Sequence, residues 1–272
     1  MNHLLQQGIL LTILVLANPV IAEISVRDDL NREIALSAPA KRIITLAPHT
    51  TEMLLAIGAG HKIIAAARFF DYPPSMQDVP AINTLGGLDK EALLGYKPDL
   101  VIAWASGNRP GDLQWLADSS IPVFMSEPEN LSAIATTLEK LGVLVGETAA
   151  GKQAADRFRK RIAAACRQRQ DAPIATAYYE IWPNPPMTIG GEHWLNEVLW
   201  LAHLQNIFSF VPRTVFTISA ESLLANPVQV VVTSQPQATR QASNARIIVA
   251  SPTLGRPGPR IAEGLEQLCQ QL

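Results

Sequence analysis

The chain of 272 residues is 48% hydrophobic, 17% charged and 6% aromatic, the balance of a globular protein that buries a core rather than of a disordered or fibrous one. Lys and Arg number 22 against 24 Asp and Glu, a formal charge of -2, so no basic field exists to hold nucleic acid or anionic lipid. Its 20 prolines, spread along the chain, speak against a helical bundle, because an interior proline removes a helix hydrogen bond and clashes with the preceding turn.

Ile9 to Ala17 is almost wholly apolar and is followed by Asn18, Pro19 and the small residues Val20 and Ala22, which suit cleavage before Glu23. The run is shorter than the roughly 20 residues of a membrane span. Residues 1–22 are therefore expected to be a cleavable signal peptide, with the mature protein in the periplasm. No cysteine follows the expected cleavage point, so a lipid anchor is not indicated. The remaining Cys166 and Cys269 raise the question of a disulfide in an oxidising compartment, and their spacing carries no zinc signature.

From Glu23 the sequence predicts a hairpin, Ile24 to Val26 with Glu33 to Leu36, turning at Asp28 to Asn31. Strand-like runs then recur at Arg42 to Leu46, Lys62 to Ala66, Asp99 to Trp104 and Ile121 to Met125, each followed by a turn and a helical or loop segment. This is α/β grammar and implies a parallel sheet covered by helices. A helix capped by Asn130 carries Ile134, Leu138 and Leu141 on one face. A longer helical segment, 147–170, places Ala155, Phe158, Ile162 and Cys166 on one apolar stripe. At 1.5 Å per residue it would span about 35 Å, enough to join two lobes as a strut or to lie on the surface of one. The alternation resumes with a strand at Ile174 to Ile181, a helix at His193 to Ala202, a short helix at Ser219 to Ala225, and strands at Val228 to Thr233 and Ile247 to Ala250. A last helix has Pro259 in its first turn and Ile261, Leu265, Leu268 and Leu272 on one face. The class is α/β with central, mostly parallel sheets, and the resemblance drawn below implies two lobes joined by one long backbone helix. The expected boundaries are 1–22, 23–146, 147–170 and 171–272.

Sequence motifs for a nucleophile elbow, a zinc-protease helix, a phosphate-binding loop or a dinucleotide fold are absent. What stands out is a set of aromatic and polar residues at strand ends, where open α/β sheets bind ligands. Pro48 and His49 follow one strand, Phe69 the next, while Trp104 and Trp182 end two others. Each alone is more often a core residue than a contact. Four at equivalent positions point to a cleft lined for a flat, mostly apolar ligand.

The stretches LAPHTTEMLLAIGAG (46–60), FFDYPP (69–74), KPDLVIAW (97–104), NPPMTIGGEH (184–193), QNIF (205–208) and RPGPRIAEGLEQL (256–268) resemble the cobalamin-binding members of the class III, helical-backbone substrate-binding proteins. That family delivers cobalamin, ferric siderophores or haem to ABC importers. The resemblance covers essentially the whole mature chain and implies two lobes joined by one long helix. It implies a ligand-contacting role for Trp104, a stacking position at Phe69, a further aromatic near Phe216, and a family arginine at Arg256. Leu85 stands where a family tryptophan is expected, and Thr253 to Gly255 replace a bulky acidic stretch. Ala202 replaces the family's cysteine partner for Cys269, which leaves Cys166 as the thiol available to it. Glu91 and Glu221 match glutamates that pair with arginines of the membrane subunits. His49 is expected to face the ligand, as a hydrogen-bond donor or as an axial ligand to its cobalt, with Thr50 or Thr51 capping the helix behind it.

The function so implied is capture of cobalamin or a related corrinoid by a monomer and delivery to permease subunits, with no turnover, no resident cofactor, no metal held directly and no nucleic-acid partner. Haem or a ferric siderophore is the close alternative, with Arg68, Arg213, Arg256 and Arg260 available to an anionic ligand. A secreted α/β hydrolase drafting Glu180, Glu192 or His193 is the reading from a different class.

Overall fold

The computed structural model describes residues 23–67, 76–235 and 245–272. The expected signal peptide, 1–22, and Arg68 and Phe69 lie outside the described residues. The chain opens with β1 (Ile24–Arg27) and β2 (Glu33–Leu36), paired antiparallel as expected.

The first lobe follows as β3 (Ile43–Thr45), α1 (Pro48–Ala56), β4 (Ile63–Ala67), β5 (Ala81–Ile82), α2 (Lys90–Gly95), β6 (Leu100–Trp104), α3 (Pro110–Asp118), β7 (Val123–Ser126) and α4 (Leu131–Leu144). Its five strands are all parallel in the order β5-β4-β3-β6-β7. Such a sheet is covered on both faces. Accordingly, Leu100 and Ile102 of β6 enter one apolar cluster while Val101 and Ala103 enter another. Asn130 caps α4 as predicted, accepting a hydrogen bond from the Ala133 N–H at 2.8 Å.

The linking helix is α5 (Thr148–Ala164), followed by a short 3-10 turn at Arg167–Arg169. It is shorter than the segment read from the sequence, about 25 Å. Its approach to α4 is set by two glycines. A Cβ at Gly142 would sit 2.9 Å from the Gly151 Cα, and one at Gly151 would sit 2.9 Å from the Leu138 carbonyl oxygen.

The second lobe comprises β8 (Ala175–Pro183), β9 (Pro186–Ile189), α6 (Leu195–Leu201), β10 (Leu204–Asn206), β11 (Val215–Thr217), α7 (Ala220–Ala225), β12 (Val230–Thr233), β13 (Arg246–Val249) and α8 (Ile261–Gln271). Its sheet runs β11-β9-β8-β12-β13, with β10 alongside the start of β8. The pairs β8–β12, β12–β13 and β8–β10 are parallel, and β9 is antiparallel to both β8 and β11.

One buried cluster runs through both lobes. It joins Ile43, Leu100 and Phe124 of the first sheet, through Ala155 and Phe158 of α5, to Tyr179, Val232 and Leu265 of the second. Cys166, just past α5, is bonded to Cys269 of α8, 103 positions on. Beside it the Arg161 guanidinium grips Glu266 at 2.6 and 2.8 Å. The expected Cys166–Cys269 pairing is present, in place of the family's partner at position 202.

Candidate functional site

In the first sheet, the strands leaving β3 run outward through β4 and β5, whereas those leaving β6 run the other way through β7. The chain therefore changes direction between β3 and β6, and open α/β sheets bind ligands outside the carboxyl ends of their strands at that point. Here β3 delivers Pro48 and His49, β6 delivers Trp104, and β7 delivers Ser126.

The helix after β3 begins on proline, whose fixed φ and missing N–H suit a first turn. Ala47 occupies the cap position with no side-chain hydrogen bond, so neither threonine caps α1. Instead the Thr50 hydroxyl donates to the Ala47 carbonyl at 2.8 Å, and the Thr51 hydroxyl lies 2.6 Å from that of Thr45. This turns His49 inward. It is 1% exposed, its Nε2 is 3.1 Å from the Ser126 hydroxyl, and its ring stands T-shaped to that of Trp104 with centroids 5.3 Å apart. Burial first, and then the positive charge of Arg256, push its pKa down to about 3. The imidazole is therefore neutral at ordinary pH, which is the form able to ligate a metal. Axial coordination through Nε2 would have to displace the Ser126 hydroxyl.

Trp104 is half-buried and packs over the loop that follows it. A Cβ on Gly107 would fall 1.9 Å from ring atom Cε3, so only glycine leaves room for the indole there. Its Nε1 is buried and has no acceptor among the described residues. Asn108 ties this loop to both strand ends: its Nδ2 donates to the Leu46 carbonyl at 3.0 Å and its Oδ1 accepts from the Trp104 N–H at 2.7 Å. Ser106 is held from the other side, its N–H and hydroxyl donating to Glu127 at 2.7 and 2.9 Å.

The second lobe meets α1 through the segment after β13. Glu52, buried on α1, accepts from Arg256 Nη1 at 3.2 Å and lies 3.5 Å from Arg260 Nη1. Gly258, between them, lets the backbone approach, since a Cβ there would sit 3.0 Å from that of His49. The loops after β3 and β13 thus converge, and Arg256 belongs to the same neighbourhood as His49 and Trp104.

Trp182 ends β8 and is about half exposed, its indole N–H donating to the Asn184 carbonyl at 2.9 Å. Phe216 on β11 is half-buried, edge-on to Phe208 at 5.7 Å, and Phe208 in turn meets Tyr178 at 6.2 Å. No direct contact joins either of them to Trp104 among the described residues. Glu91 and Glu221 are exposed, each in the first turn of a short helix. Asp89 caps the first helix, accepting from Ala92 at 2.9 Å, and Ser219 caps the second, accepting from Ser222 at 3.2 Å. The Glu221 carboxyl is held below its usual pKa by its own backbone N–H and by the Ser219 hydroxyl. Sequence reasoning did not find Glu52, Gly107, Asn108, Ser126 or Gly258. Their partners lie up to 204 positions away, and no local pattern marks them.

Two α/β lobes on one connecting helix, with chain loops converging at the carboxyl ends of their sheets, define a ligand-binding protein of the class III type. The family model for periplasmic binding proteins matches residues 43–256, and the chain belongs to that family. A vitamin B12-binding protein of Yersinia pestis is 32% identical over 244 residues, covering 86% of each chain. A crystal structure of the periplasmic vitamin B12 binding protein of Vibrio cholerae superposes with a TM-score of 0.77 at 30% identity, over 85% of this chain and 96% of that one. The haem-binding protein HmuT shares the fold with a TM-score of 0.76 at 15% identity, over 98% and 95% of the two chains.

Proposed function

We propose that this protein is exported by residues 1–22, captures cobalamin or a related corrinoid between its lobes, and presents it to the permease of an ABC importer. The observation that carries the reading is the similarity to vitamin B12-binding proteins at 32% identity over 86% of the chain, whereas the likeness to HmuT at 15% identity speaks to fold alone. The site fits a broad, largely uncharged ring system. Trp104 supplies a flat apolar wall, and its buried indole N–H can donate to an acceptor on the ligand. His49 lies beside it as a neutral group. Two of the arginines that an anionic siderophore or haem propionate could have used, Arg256 and Arg260, are engaged by Glu52. Glu91 and Glu221, exposed on separate lobes, dock the loaded protein onto arginines of the membrane subunits.

Titration calorimetry and the visible spectrum after desalting test the reading. Mature protein is expected to retain about one cobalamin per chain, and Trp104→Ala to weaken binding by about tenfold, since an aromatic contact contributes roughly 0.5 to 1.5 kcal/mol beyond the area it buries. Clear binding of haem with neither heat nor retained colour from cobalamin would transfer the assignment to haem.

A further inference from the structure

At the carboxyl ends of β3 and β6, the loop that follows β6 is tied to both strands by Asn108. Its amide donates to a carbonyl on the β3 side, Leu46, and accepts from an N–H on the β6 side, Trp104. The two partners demand opposite roles, and asparagine is the short side chain that carries a donor and an acceptor together. Aspartate lacks the donor, and alanine lacks both. The Asn108 N–H also donates to the Trp104 carbonyl at 3.0 Å, so Trp104 is held by its own backbone on both sides. Next to it, Gly107 is where the indole lies against the loop, and Ser106 fixes the loop's other side to Glu127. The ring is thereby confined between Gly107 and the His49 ring. We infer that Asn108, backed by Gly107, is a positioning residue that fixes the Trp104 ring and the crevice width, and so determines ligand affinity. The inference rests on the proposed reading that Trp104 touches the ligand.

The test uses mature protein labelled with 5-fluorotryptophan. Of the five tryptophans, the fluorine resonance of Trp104 is identified by its loss in Trp104→Phe. Asn108→Ala, Asn108→Asp and Gly107→Ala are each expected to move that resonance by more than a linewidth in ligand-free protein, leaving the other four in place. The same variants, folded by circular dichroism at the assay temperature, are expected to bind cobalamin at least fivefold more weakly. Asn108→Asp keeps the acceptor for the Trp104 N–H, and so provides a folded variant if alanine does not. An unmoved Trp104 resonance in the folded variants overturns the positioning role. A moved resonance with unchanged affinity overturns its link to binding. If the wild type binds no cobalamin, it is the proposed ligand that fails, and the ligand-free fluorine spectra still decide whether Asn108 positions Trp104.

Discussion

Acidification should weaken this protein through two histidines, His49 buried and His193 half-buried, and the size of the effect follows from their surroundings. Burial and the nearby Arg256 push His49 down to about 3, and burial alone pushes His193 down to about 4, from an ordinary value of 6.5. Because the folded values lie below the unfolded one, the unfolded chain binds these protons first. Stability is full above pH 6.5 and is lost as pH falls toward the folded values. Between pH 7 and 5 each histidine removes on the order of 2 kcal/mol, since about one and a half pKa units separate pH 5 from the unfolded value and neither group yet titrates in the folded state. His49→Gln, which keeps a polar partner for Ser126, should therefore lose about 2 kcal/mol less than wild type over that range. Urea denaturation at pH 7, 6 and 5 measures both proteins. Equal losses would refute the claim that His49 is buried uncharged.

Replacing both cysteines by serine should destabilise the protein by up to about 4 to 5 kcal/mol on the chain-entropy model, because the bond closes a loop of 103 positions; thermal denaturation of the double variant reads this. Gly151→Val should cost about 1 to 3 kcal/mol or more, since its Cβ would press on the α4 backbone rather than on a movable side chain, and denaturant titration checks it. The absorption spectrum of bound cobalamin in His49→Ala decides whether the imidazole ligates cobalt, with a changed spectrum expected for ligation and an identical one excluding it. The double variant Glu91→Ala, Glu221→Ala should bind ligand normally yet fail to support uptake through its importer. Unimpaired uptake would leave these carboxylates only their favourable place at helix N-termini.

The elements that could be read from the sequence are those with a strong local signal. The β6 run reads as a fully buried strand because Leu100 to Ala103 are apolar on both faces, and α4 announces itself through Asn130 and its apolar spacing. The elements that escaped are short or lie at sheet edges. β5 has two residues and β11 three, too few for any period. β9 begins at a proline and gains its place by antiparallel pairing with β8. The nine residues of α3 begin with Pro110, and Leu116 is the one fully buried position among them, so their apolar periodicity was too brief to read. At the site, the strand-end rule located His49 and Trp104, whereas the groups that hold them did not stand out. Asn108 acts on Leu46, 62 positions earlier, and Glu52 acts on Arg256, 204 positions later. Interactions between distant segments leave no spacing to detect.

The same separation explains why fold and ligand are set by different residues. A backbone shared with HmuT at 15% identity is maintained by the apolar interior, where hydrophobic side chains of similar volume substitute for one another readily. On the proposed reading, ligand choice rests on a few groups at the strand ends. Here Glu52 draws two guanidiniums to itself on α1. The positive charge of Arg256 is nonetheless felt by His49, whose pKa it helps to lower. The residues around Trp104 include a neutral imidazole, a serine on the neighbouring strand and a neutral amide. On the reading proposed above, such a floor would offer burial and hydrogen bonds, and would discriminate by shape and by the match of donors and acceptors.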